Sequence, residues 1–229
     1  DTQTWHEINH LDGFQWPIGQ IRLAHDNRTV IAAEIDWPTR KARTTVQDLQ
    51  DHEKSTSIEG QRLLDVDDSK GVAAFASDDG YISLRSFPNL ELINRFSDRL
   101  LGTICGSFSA SGRYFAAGSI YNASQVWDLS NANHISQLIR RGHSSSVRDI
   151  AFFADDRFII TASTNAVFEV WEVASRSVQM VFHPNSGGTW SIGVGTNNTN
   201  FALGHENGGI QIHDGADISS LRRSIIRSA

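Results

Sequence analysis

The chain has 229 residues, of which 39% are hydrophobic and 20% are charged, a composition typical of a soluble globular protein. Its formal net charge of −6 argues against a general affinity for DNA or RNA, because such binding needs a basic face that neutralises phosphates. The single cysteine, Cys105, excludes an internal disulfide and a cysteine-based zinc site, and no apolar run reaches the ~18 residues that span a membrane.

After residues 1–16, where we expect an outer strand of a neighbouring unit, the chain repeats a pattern of short apolar runs separated by turn residues. Runs that alternate apolar and polar residues predict antiparallel strands joined by hairpins. We predict five units, over residues 17–53, 54–98, 99–141, 142–184 and 185–229. Each unit has three predicted strands, which are, in chain order, 18–23, 29–35 and 44–49; 62–66, 72–76 and 81–85; 103–108, 114–117 and 125–128; 147–153, 158–162 and 167–173; and 189–194, 201–203 and 209–213. Fourth, outer strands are predicted at 90–96, 177–182 and 222–226, and an insertion at 36–43 displaces the third strand of the first unit.

The spacing of the units is regular. The second strands align the residues Glu34, Ser77, Ser119, Ser163 and His205, whose successive separations are 43, 42, 44 and 42 residues. In the last four units a tight turn follows two residues later, and the position eight residues later holds Arg85, Trp127, Trp171 and His213. Unrelated hairpins would drift in phase, so the spacing indicates repeats of one structural unit.

The fourth unit opens on Gly142-His143 and closes on Trp171-Glu172. A unit of about 40–45 residues with these ends resembles a WD40 repeat, which is one four-stranded blade of a β-propeller. The resemblance implies an all-β fold, a WD40-like β-propeller of four-stranded antiparallel blades, in an incomplete ring of about five blades. Each blade buries its two faces against its neighbours, since one twisted sheet cannot bury either face alone.

The resemblance also implies a structural hydrogen-bond network in the blades. In the fourth unit its members would be His143, Thr161 or Ser163, Asn165 and Trp171. Other units keep only parts of it, namely Asp79 in the second and Trp127 in the third, and Arg85 stands at the tryptophan position of the second.

No catalytic residue, cofactor or metal is expected, and the leading hypothesis is a non-catalytic scaffold that binds proteins or peptides at the rim of the propeller. The candidate partner-binding residues are Arg62, Tyr121, Arg148 and Trp190. Arginine, tyrosine and tryptophan commonly anchor interfaces, and the two arginines would suit an acidic or phosphorylated peptide. No nucleic acid or membrane partner is expected, and since no signal peptide is visible we expect a cytoplasmic location.

Two alternatives stay open. The chain begins with Asp1 and shows five units, which is compatible with a regulatory or recruiting WD40 domain of a larger enzyme such as a kinase or protease. The other alternative is a zinc hydrolase, because His6, Glu7 and His10 form an HExxH string. The third ligand position of the extended zinc pattern is Trp16, which cannot bind zinc, so the string is better explained as a chance match.

Overall fold

The computed structural model describes residues 10–24, 26–36, 38–39, 41–51, 53–96, 100–130, 136–183, 188–195 and 199–214. These residues form nineteen β-strands and no helix. The strands make five antiparallel sheets of three or four strands each, so the all-β prediction is confirmed.

We number the sheets in chain order. Sheet 1 contains β1 (Ile18–Leu23), β2 (Thr29–Asp36), β3 (Lys41–Asp48) and β4 (Ser55–Glu59). Sheet 2 contains β5 (Gln61–Asp67), β6 (Val72–Ser77), β7 (Ile82–Ser86) and β8 (Leu92–Arg95). Sheet 3 contains β9 (Thr103–Phe108), β10 (Tyr114–Ser119), β11 (Ala123–Asp128) and β12 (Ser136–Gly142). Sheet 4 contains β13 (Val147–Phe153), β14 (Phe158–Ser163), β15 (Phe168–Glu172) and β16 (Ser177–Phe182). Sheet 5 contains β17 (Thr189–Val194), β18 (Asn200–His205) and β19 (Ile210–Asp214), and its predicted fourth strand at 222–226 lies outside the described residues.

Each sheet is a simple meander, and its register follows the predicted spacing. The first residue of the first strand always pairs with the residue that the spacing aligned; the pairs are Ile18 with Glu34, Gln61 with Ser77, Thr103 with Ser119, Val147 with Ser163, and Thr189 with His205. The repeat inferred from the sequence is therefore also a repeat of strand pairing.

The core of the protein lies between the sheets, which pack face to face in chain order. Four buried clusters join sheet 1 to 2, sheet 2 to 3, sheet 3 to 4 and sheet 4 to 5. In the last of them the rings of Phe153 and Phe201 lie 5.3 Å apart. The first strands β5, β9, β13 and β17 are neighbours along this stack. Strand β14 is buried at every residue because both faces of its sheet are covered, which explains why its sequence reads as an apolar run.

Two parts of sheet 1 and sheet 3 differ from the sequence prediction. The predicted insertion at 36–43 was wrong in extent, because β3 begins at Lys41 and pairs with Asp36 across a short turn. The first buried positions of this strand are the small residues Ala42 and Thr44, which give little apolar signal. Strand β4, with only Ile58 as a large apolar residue, extends sheet 1 beyond residue 53, and Gly142 belongs to sheet 3 and not to the unit it was expected to open.

Replacing Gly118 with alanine is expected to lower the free energy of unfolding by about 1–3 kcal/mol, the usual cost of overpacking a core. A Cβ at Gly118 would lie 2.5 Å from Cγ1 of Val147 and 2.7 Å from Sγ of Cys105. Both neighbours belong to the cluster that joins sheets 3 and 4, so the methyl group must push these sheets apart. Gly193→Ala is the matched control, because no atom lies within 4 Å of a Cβ there. Urea denaturation should show a loss for Gly118→Ala only, and equal losses would contradict the close packing at Gly118.

Candidate functional site

The second residues of the five first strands line one cavity, which has a volume of about 800 Å³. These residues are Gly19, Arg62, Ile104, Arg148 and Trp190. In sheets 1, 3, 4 and 5 the pairing with the second strand shifts at this residue, which is a β-bulge. A bulge redirects a side chain out of the regular pleat, so equivalent positions of separate sheets can face the same space.

The structure brings together all four candidate partner-binding residues at this cavity. Arg62, Arg148 and Trp190 reach it from first strands, and Tyr121 reaches it from the turn between β10 and β11. The two aromatic residues are largely exposed, with 63% of Tyr121 and 54% of Trp190 accessible to solvent. They offer apolar surface that a bound partner would cover.

Arg148 and Trp190 form the best-defined contact of the cavity. The guanidinium carbon Cζ of Arg148 lies 4.8 Å from the centre of the Trp190 ring, within the range of a cation–π interaction. Within the described part of the chain, the Nε of Arg148 is buried and has no hydrogen-bond partner. An unpaired buried donor is unfavourable, so an acceptor on a ligand would stabilise it. Asp78 also lines the cavity, which is therefore mixed in charge with two guanidinium groups and one carboxylate.

Two aspartates on the first strands connect neighbouring sheets, and sequence reasoning did not single them out. Oδ2 of Asp65 in sheet 2 accepts a hydrogen bond of 2.8 Å from the backbone N–H of Phe108 in sheet 3. Oδ2 of Asp149 in sheet 4 accepts one of 2.6 Å from the N–H of Ile192 in sheet 5. Burial raises the pKa of both carboxyl groups, that of Asp149 to about 6, although these hydrogen bonds oppose the rise. Both strands also contain an arginine, so an acidic residue in a first strand was not a distinctive signal in the sequence.

The predicted network of sheet 4 divides into two hydrogen-bonded groups. In the first, Nε2 of His143 and Oγ1 of Thr161 are 2.8 Å apart, and Nε1 of Trp171 donates to Oε2 of Glu169 at 3.0 Å. The same carboxylate oxygen lies 3.6 Å from Nε2 of His143, so Glu169, which was not predicted, connects the histidine to the tryptophan. Burial lowers the pKa of His143 to about 4, so its ring is neutral at pH 7.

The second group holds the turn after β14. The hydroxyl of Ser163 lies 2.6 Å from Oδ1 of Asn165, and Nδ2 of Asn165 donates to Oγ of Ser144 at 2.7 Å. Sheet 2 has the equivalent pair, in which the hydroxyl of Ser77 donates to Asp79. Both groups tie a loop to a strand.

Trp127 of sheet 3 is held by ring packing. It is 1% exposed, and its ring lies 4.8 Å from Phe96 and 6.2 Å from Phe115. Among the described residues its Nε1 finds no hydrogen-bond partner, so the polar network of sheet 4 is not repeated here.

Only one residue of the HExxH string can be placed. His6 and Glu7 lie outside the described residues, and Nε2 of His10 lies 3.2 Å from Oδ1 of Asp12. Within the described ranges, no group of three or more His, Cys, Asp or Glu side chains is arranged to hold a metal ion.

Comparison with models of known protein families finds no match for the chain. Over the described residues, the structure contains no helix with the length and apolar character needed to cross a bilayer. The chemistry of the cavity is therefore the main guide to function.

Proposed function

We propose that this chain is a WD40-like β-propeller segment of five blades, and that it acts as a non-catalytic scaffold for acidic or phosphorylated peptides. The propeller assignment is supported by the constant register of the five sheets, by their stacking in chain order, and by the adjacency of the first strands of sheets 2 to 5. Radial stacking of such sheets around an axis would place the first strands innermost. The cavity at their starts would then open on one rim.

The observation that carries the proposal is the convergence of Arg62, Tyr121, Arg148 and Trp190 on one cavity. These residues are far apart in sequence, and their types are those that dominate binding energy at interfaces. A guanidinium group binds a carboxylate or a phosphate through paired, charge-assisted hydrogen bonds. Trp190 holds the Arg148 guanidinium from one side, which reduces the conformational freedom that the arginine would lose on binding.

The size and the lining of the cavity fit a peptide segment. Its volume of about 800 Å³ falls within the range of pockets that bind drug-sized ligands. The exposed faces of Tyr121 and Trp190 would cover apolar atoms of the peptide, while the arginines bind its anionic group. Asp78 on the same wall would favour peptides that also carry a basic residue near the anionic one.

Replacing Arg148 with alanine is expected to weaken peptide binding at least tenfold, which corresponds to about 1.4 kcal/mol. The probes are arrays of random decapeptides with a central glutamate, phosphoserine or serine, followed by fluorescence anisotropy on the best binder. Trp190→Ala should also weaken binding, because the indole both contacts the peptide and supports Arg148.

Matched controls come from outside the cavity. Arg113 also lies over an aromatic ring, with its Cζ 4.9 Å from the centre of Tyr114, so Arg113→Ala removes a similar cation–π pair. Leu92, which is 57% exposed, gives a control for loss of exposed apolar surface. Native affinity in Arg148→Ala and Trp190→Ala, or an equal loss in Arg113→Ala, would refute the cavity as the peptide site.

A further inference from the structure

A second cavity, with a volume of about 430 Å³, lies on the face of sheet 2 that packs toward sheet 1. Arg85 of β7 lines it, together with Ser83 of the same strand and Gln61 at the start of β5. The two cavities share Ser77 and Asp78, but their arginines differ: Arg62 and Arg148 line only the first cavity, and Arg85 and Arg95 line only the second.

The repeat explains why a cavity exists at this place. Arg85 occupies the position that Trp171 holds in sheet 4, and Ser83 occupies that of Glu169, since each pair lies at the same distance from the aligned serines Ser77 and Ser163. In sheet 4 the tryptophan and the glutamate fill this space together with His143. Sheet 2 has the smaller Ser83 here and an extended arginine in place of the indole, so space is left beside the guanidinium group.

Among the described residues, the guanidinium group of Arg85 has only neutral hydrogen-bond partners. Its Nε donates to Oε1 of Gln61 at 3.1 Å, and its Nη1 donates to the carbonyl oxygen of Leu90 at 2.8 Å. These two bonds fix the plane of the group and leave Nη2 for another acceptor. Partial burial lowers the pKa of Arg85.

The other arginine at this cavity is already neutralised. Nη2 of Arg95 lies 2.8 Å from Oδ2 of Asp79, and its Cζ lies 3.6 Å above the ring of Tyr81. Arg85 has no carboxylate partner within the described ranges, so its half-buried positive charge is costly, and an anion that enters the cavity would supply the missing charge.

We propose that the cavity at Arg85 binds a carboxylate group, which accepts hydrogen bonds from the Arg85 guanidinium, while the hydroxyl of Ser83 donates to Oε1 of Gln61 at 2.9 Å and holds that amide in place. A carboxylate carries one charge and matches the planar geometry of the guanidinium group. Asp78 and Asp79 line the same cavity, so a phosphate group, which places up to two charges on one centre, would meet more repulsion there than a carboxylate group, which places one charge on each centre. The carboxylate belongs either to a free small acid or to a glutamate side chain of a partner.

The test is titration of the ¹⁵N-labelled chain with succinate, observed at the Nε–H resonance of Arg85, which Arg85→Gln identifies by removing it. Succinate is expected to shift this resonance with saturation, and the uncharged analogue succinamide is expected to leave it in place. Inorganic phosphate should bind at least fivefold more weakly than succinate. A blocked Gly-Glu-Gly peptide and its Gly-Gln-Gly analogue distinguish the two sources, because tighter binding of the glutamyl peptide than of succinate identifies a partner side chain and the reverse identifies a free acid.

The variants separate this site from the peptide site. Arg85→Trp places in sheet 2 the residue found at the corresponding position of sheets 3 and 4, and is expected to keep a cooperative thermal transition while binding succinate at least tenfold more weakly. Arg85→Gln, which keeps a polar side chain, provides the same comparison if the tryptophan alters the fold. Arg62→Gln lies in the other cavity and should bind succinate as the native chain does. Equal succinate binding by native protein and Arg85→Gln, no saturable shift with either carboxylate probe, or tighter binding of phosphate than of succinate would overturn the proposal.

Discussion

Replacing Trp171 with alanine is expected to lower the free energy of unfolding by about 4 kcal/mol, in the upper range for a large-to-small core substitution. The side chain is 1% exposed and belongs to the cluster that joins sheet 3 to sheet 4. Its removal would leave a cavity between two sheets that cannot close it without changing their stacking. It would also remove the indole N–H that donates a hydrogen bond to the carboxylate of Glu169, which lies beside the buried His143. Urea denaturation followed by circular dichroism measures the loss.

The matched control for this substitution is Trp190→Ala, which removes the same side chain from a site that is 54% exposed. Its expected loss is below about 1 kcal/mol, because most of the indole surface is already in contact with water. Trp171→Phe retains an aromatic ring but no N–H donor, so its loss should fall between the two alanine variants. Similar losses for Trp171→Ala and Trp190→Ala would show that Trp171 does not fasten the two sheets.

The repeat and its phase could be predicted because the second strand of each sheet is apolar and recurs every 42 to 44 residues. The central strands of each sheet are buried on both faces, so β6, β10 and β14 carry apolar residues that the sequence shows plainly. The outer strand β4 could not be predicted, because four of its five residues are exposed and its composition resembles a loop. This strand pairs with β3 through backbone hydrogen bonds, and such pairing does not require particular side chains.

The convergence of the candidate residues could be predicted, but their contacts could not. The residues that begin the first strands were expected at one rim, and Arg62, Arg148 and Trp190 do lie at one cavity. The approach of Arg148 to the indole of Trp190 depends on the bulges that redirect both side chains, and a bulge depends on the register of two strands. Long-range pairs such as Asp149 with the N–H of Ile192 were likewise invisible, because one partner is a backbone group that any residue supplies.

The free energy of unfolding of Asp149→Asn is expected to change with pH relative to that of the native chain. The difference, variant minus native, is expected to become more positive as the pH rises from 4 to 7. Burial raises the pKa of Asp149 to about 6 in the folded protein, whereas an aspartate in an unfolded chain has a pKa near 4. Between these values the folded protein binds the proton more tightly, so ionisation removes up to about 3 kcal/mol of native stability as the pH rises. Asparagine keeps an oxygen for the N–H of Ile192 and does not ionise. Urea unfolding of both proteins at pH 4, 5, 6 and 7 gives the difference directly.

His143→Gln provides the comparison with the opposite sign. Burial lowers the pKa of His143 to about 4, below the value near 6.5 for histidine in an unfolded chain. The native stability that depends on the neutral ring is therefore fully present above about pH 6.5 and is lost as the pH falls toward 4. Relative to the native chain, the free energy of unfolding of the glutamine variant should increase as the pH falls. For Asp149→Asn, the same difference should increase as the pH rises over the same window. Because the two native slopes oppose each other, removing either residue should expose the slope of the other. Difference curves that are flat, or that have the same sign, would mean that these two buried groups do not titrate with the sheets intact.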